Sequence, residues 1–264
     1  MHFDTDSYCN DLIPNAVVNF KNPHPKHRLW HRDCLVGAPT EAGMSEGDMK
    51  AKASIAISDM FAMPVTFSAK GGAPFGEGFG NLKIQNGIGK SETFTSNQKA
   101  YDYCYAGLMV GSNNKDYYEE DFDEVSFVNK YLDWVDNYYR NPSIKHVVIC
   151  SIPPREIDFN SCGLENKVKF NKLLKHRIDS GNYIKSHSSA KLHFYNADLV
   201  VPMTASAEDR IEWYCEVEVG DWRHPIIRAQ PPVHYNASVM AEIVRGMISI
   251  IKAITRNERK RKRY

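Results

Sequence analysis

The 264-residue chain is 42% hydrophobic and 25% charged, with Lys+Arg 33 against Asp+Glu 32, which excludes a disordered chain, a collagen-like repeat and a small disulfide scaffold. A net charge of +1 argues against a globally basic nucleic-acid binder, although Arg256, Arg259, Lys260, Arg261, Lys262 and Arg263 crowd residues 256–264. The six cysteines are scattered without a C-x-x-C pair or zinc spacing. Met1 to Ser7 is acidic where a secretory leader would be basic and then apolar. The expectation is therefore an intracellular, reduced protein, cytoplasmic or, if the basic tail is a targeting signal, nuclear. No apolar run approaches the roughly 18 residues of a membrane span.

Residues 1–28 show no hydrophobic period and contain Pro14, Pro23 and Pro25, which predicts an irregular N-terminal arm. A first strand is predicted at Asp33 to Val36, turned by Gly37-Ala38-Pro39-Thr40, with helix signals from Glu41 to Met60. Val65 to Ser68 reads as the second strand, closed by Gly71-Gly72. Tyr103 to Val110 reads as a third strand, buried on both faces and ending at Gly111-Ser112-Asn113-Asn114. The acidic run from Glu119 to Glu124 reads as the start of a helix whose dipole favours carboxylates. That helix carries Phe127, Val128, Tyr131, Leu132, Trp134, Val135 and Tyr138.

Val147 to Cys150 is a fourth strand. Leu164, Val168, Leu174 and Ile178 mark a helix with Gly181 at its C-terminal stop, and Leu192 to Tyr195 is a fifth strand. The last helix, from Ala237 to Ile254, has a wide apolar stripe. The alternation implies a parallel sheet covered by helices. It divides the chain into an arm (1–28), one α/β domain (29–254) and a basic tail (255–264).

In such a sheet, loops at the carboxyl ends of the strands gather at one edge and form the site. Gly37 to Thr40, Lys70 to Gly72, Gly111 to Asn114 and Pro231 to His234 are those loops. Together they offer backbone N–H groups, an amide and an imidazole, the parts of an oxyanion hole and a general base. No phosphate-binding loop occurs, and Gly76-x-Gly78-x-Gly80 lacks a strand-to-helix context. No nucleotide or other cofactor is expected. His24, His27 and His31 lack the partners of a metal site, so no metal is expected either.

The order of these loops resembles the SGNH (GDSL-type) hydrolases, a family of esterases and acetylhydrolases with a three-layer, flavodoxin-like sheet and helices on both faces. The resemblance implies that Gly71 or Gly72, together with Asn113, lines an oxyanion hole and that His234 is the base. Two departures stand against it. Pro39 stands where the family has its nucleophilic serine, and Pro231 where it has the aspartate that orients the histidine. A triad works as a unit, so the expectation is a catalytically inactive scaffold that binds RNA or self-associates, as a viral or mobile-element structural protein would. The tail arginines and lysines are its candidate nucleic-acid contacts. The alternative is an esterase with a relocated nucleophile, Thr40, next to the lost serine, and His234 as base. Ser45 and Cys34 are more distant substitutes.

Overall fold

A computed structural model describes residues 2–5, 66–69, 74–75, 105–139, 144–183, 185–211 and 237–261. Its frame is a parallel sheet of β1 (His2–Thr5), β2 (Thr66–Ala69), β3 (Tyr105–Met109), β4 (His146–Cys150) and β5 (Lys191–Tyr195), in the order β2-β1-β3-β4-β5. Helices α1 (Glu124–Tyr138), α2 (Gly163–Ser180), α3 (Ala207–Ile211) and α4 (Ala237–Arg261) accompany it. The chain is therefore an α/β protein.

The period-two geometry of strands sorts the sheet's side chains into two sets. Ala106, Val147 and Leu192 lie in register, as do Leu108, Ile149 and Phe194. Both rows join a core with Phe127, Tyr131, Leu132 and Val135 of α1 and Phe170, Leu174 and Ile178 of α2. Rings dominate that core: Phe75, Tyr131 and Phe170 make edge contacts with centroids 4.8 and 5.4 Å apart. Full burial of such a side chain is worth about 1.5–3 kcal/mol. The alternate residues, among them Tyr105, His146 and Tyr195, meet α4. Ile243, Val244, Met247, Ile248 and Ile251 of that helix are buried. Gly246 lets α4 approach closely, since a Cβ there would lie 2.2 Å from the Tyr195 ring.

Local signals set the helix ends as their chemistry predicts. Asp123 caps α1 by accepting from the N–H groups of Val125 and Ser126 at 3.0 Å. Gly181 ends α2 in the left-handed region at φ 68°. The buried Asp136 accepts from the N–H groups of Ser186, His187 and Ser188 and fixes the approach to β5.

Two boundaries differ from the sequence expectation. His2–Thr5, assigned to the irregular arm, is an inner strand, paired with β2 on one side and β3 on the other. Backbone pairing on both edges holds it, so it needs no long apolar run. At the other end, helix continues past Ile254 to Arg261, through most of the segment assigned to a separate tail. The strand expected at Asp33 to Val36 and the helix expected from Glu41 to Met60 lie outside the described residues.

Candidate active site

In this strand order the connections diverge between β1 and β3. The chain passes outward from β1 to β2, returns to β3 on β1's other side, and proceeds away through β4 and β5. Such a switch point opens a crevice at the carboxyl ends of the two strands. Thr5 and Met109, the last residues of β1 and β3, are register partners. Val110 to Asn114 therefore leave the sheet beside the end of β1, which Asp6-Ser7 follows in the sequence.

The segment after β3 is held in one shape. The Tyr131 hydroxyl donates to the Val110 carbonyl at 3.3 Å, and the Asn114 N–H closes a turn onto the Gly111 carbonyl at 3.2 Å. Gly111 has φ 129°, a value that L side chains rarely adopt, and a Cβ there would come within 2.9 Å of Ile152 Cδ1. The buried Asn114 side chain accepts from the Phe75 N–H at 3.1 Å and donates to the Phe75 carbonyl at 3.4 Å. An amide can do both; a carboxylate could only accept. The loop after β2 is thus tied to the loop after β3.

Asn171 repeats the device on the loop after β4, accepting from the Ile152 N–H at 2.8 Å and donating to its carbonyl at 2.9 Å. Farther along that loop Lys167 and Asp158, both fully buried, form an ion pair at 2.6 Å. Asp158 also accepts from the Arg155 N–H and the Tyr118 hydroxyl, each at 2.5 Å. Burial, and next the adjoining carboxylate, push the Tyr118 hydroxyl up to about 12, so it remains a neutral donor.

Against this stitched background Asn113 differs. Its Nδ2 is buried and, like Trp134 Nε1, has no hydrogen-bond partner among the described residues, although an unpaired buried amide is costly. A donor left open beside a topological switch point is what an oxyanion site requires. Of the residues expected from sequence, Asn113 is the one that the described structure places at this edge. Thr40, Gly71, Gly72 and His234 lie outside the described residues, as do Cys34 and Ser45. Gly71 and Gly72 do fall in the sequence between Ala69, the end of β2, and Phe75, which Asn114 holds.

Arg256, Arg259, Lys260 and Arg261 are exposed on α4, while Lys262 and Arg263 lie outside the described residues. Among the described residues no group of three His, Cys, Asp or Glu side chains could hold a metal ion. No described helix is long and apolar enough to cross a membrane.

No protein-family model matches the chain, and no curated protein matches it. Among solved structures it is similar to the salicylyl-acyltransferase SsfX3 from a tetracycline biosynthetic pathway, at 14% identity and a TM-score of 0.39. That alignment takes in 94% of this chain and 54% of the other, so the chain spans about half the length of that protein. The likeness is too slight to carry an activity across.

Proposed function

We propose that the protein is a serine esterase of the SGNH kind, with Ser7 as nucleophile and the Asn113 amide as an oxyanion donor. The strand order and the helices packed on either side support the three-layer, flavodoxin-like arrangement that this reading needs. The observation that carries it is the position of β1. The case for an inactive scaffold rested on Gly37-Ala38-Pro39 following the first strand and on Pro231 standing three residues before His234. With His2–Thr5 beside β3, the residues after that strand are Asp6-Ser7, and the Pro39 objection loses its ground.

In this mechanism the Ser7 hydroxyl attacks the ester carbonyl while a histidine takes its proton. Negative charge develops on the carbonyl oxygen, and the Asn113 Nδ2–H group stabilises it. Collapse expels the alcohol, which takes the proton back from the histidine, and water then releases the acyl group by the same steps. His234, three residues before α4 begins, is one base. The other is His224, which has Asp221 three residues earlier, the spacing that Pro231 denies to His234. Ser7 and both histidines lie outside the described residues.

The experiment is hydrolysis of p-nitrophenyl acetate by the purified chain, with active-site labelling by a fluorophosphonate. Turnover should vanish in Ser7→Ala, a loss of at least about 10⁴-fold for a member of a triad, and the label should map to Ser7. Of His224→Ala and His234→Ala, the one that abolishes turnover names the base. An inert wild type, or a Ser7→Ala variant as active as wild type, would return the protein to the scaffold reading.

A further inference from the structure

Between Glu242 and Tyr264 the sequence holds a single acid, Glu258, and its carboxylate is turned toward the sheet. It meets His146 Nε2 at 2.9 Å and accepts from the Tyr105 hydroxyl at 3.2 Å. At roughly 100° per residue, Thr255 and Glu258 continue the sheet-facing stripe of Val244, Met247, Ile248 and Ile251. Thr255 accordingly donates to the Tyr105 hydroxyl at 3.0 Å. Lys252, Arg256, Arg259 and Lys260 all fall on a different arc, about 100° wide, and all are exposed. Over about 12 Å of helix that arc carries four cations and no acid. Arg245 extends it but is paired with Glu242, and Lys252 also has an interaction of its own.

We infer that this face of α4 binds the phosphate backbone of a nucleic acid. The helix is a rigid support, because its apolar side is spent on the sheet and its last turns are pinned through Glu258 and Thr255. The same fact argues against a lipid surface, since an interfacial helix needs its apolar face free to insert. The cationic arc has no aromatic or large aliphatic anchor of the kind that dominates protein interfaces. A row of exposed cations without acids or anchors is complementary to a polyanion. The geometry also divides the tail residues proposed from sequence: Arg256, Arg259 and Lys260 share the arc, whereas Arg261 points to another side of the helix. This inference stands apart from the esterase proposal, which uses the opposite end of the sheet.

The test is fluorescence-anisotropy titration of the full chain with a labelled RNA oligonucleotide, over a range of salt. Three phosphate contacts, from Arg256, Arg259 and Lys260, predict log K falling with log salt at a slope of about −2. The variant Arg256→Glu, Arg259→Glu, Lys260→Glu should lose at least about tenfold in affinity and most of the slope, while esterase activity and helix content stay unchanged. The matching triple glutamine variant, free of clustered carboxylates, should lose most of the slope as well. Arg261→Glu, an equal single-site charge change on another side, should bind within about twofold of wild type, whereas Arg259→Glu should not. Salt-insensitive binding, equal losses at 261 and 259, or tighter binding to phosphatidylserine vesicles than to RNA would each overturn the inference.

Discussion

The two ends of the sheet treat their polar side chains differently. At the amino end, the partly buried Tyr105, His146, His193 and Thr255 and the exposed Glu258 form a closed network: His146 Nδ1 meets His193 Nε2 at 3.0 Å, and His146 Nε2 meets Glu258. At the carboxyl end, Asn114, Asn171 and Asp158 are as fully engaged, yet Asn113 Nδ2 has no partner among the described residues. In the proposed esterase the open amide is a reserved donor, kept at a stability cost because its partner would be a substrate oxygen.

The largest effect expected from breaking this comparison lies in the closed part of the carboxyl end. Lys167→Met removes one partner of a fully buried ion pair and leaves the Asp158 carboxylate with only neutral donors and the Arg155 backbone. The loss should be about 3–5 kcal/mol, read as a shift in the urea midpoint with little change in slope. A loss below about 1 kcal/mol would mean that the ion pair adds little to the fold.

Next in size are the adjacent asparagines, which should fail in different currencies. Asn113→Ala removes the open donor, so kcat should fall about 10²–10³-fold while the unfolding midpoint holds or rises. Asn114→Ala strands the Phe75 N–H and carbonyl and should cost about 1–3 kcal/mol of stability. If Asn113→Ala destabilises and leaves kcat intact, the contrast between the two residues is wrong and the oxyanion role goes with it.

The same contrast explains what was legible in the sequence. β3, β4 and β5 are continuous apolar runs, and α1 carries its apolar residues at helical spacing, because side-chain burial is what holds them. His2–Thr5 was not legible. Its sequence, His-Phe-Asp-Thr, alternates with one large apolar residue, and its support is backbone pairing on both edges, which leaves no hydrophobic signature. With that strand unread, the search for a nucleophile stayed at Pro39 and Thr40, which lie outside the described residues. Helix α4 was cut short at Ile254 for a related reason: its sheet-facing stripe goes on with Thr255 and Glu258, which meet the sheet through polar contacts. Asn113 was found because a Gly-x-Asn turn after an apolar strand is readable. That Asn114 is a clamp was not, since its partner, Phe75, is 39 residues away.

The smallest expected effect tests the closed end. Burial, then the neighbouring His146, Lys191 and Lys185, lower the His193 imidazole to about 4 from 6.5. Glu258, bound to His146, is the one carboxylate in this network. Above pH 6.5 the ring is neutral in both folded and unfolded chains, and its share of stability is fully present. As pH falls from about 6.5 toward 4 the unfolded chain takes up a proton that the folded chain refuses, so stability declines across that window. His193→Gln keeps a donor for His146 Nδ1 but cannot titrate there. Thermal unfolding midpoints should therefore fall less steeply between pH 6.5 and 4 in the variant than in wild type. Equal slopes would show that a proton enters the histidine pair without penalty, and the amino end would then be no more closed than the edge where Asn113 waits for a partner.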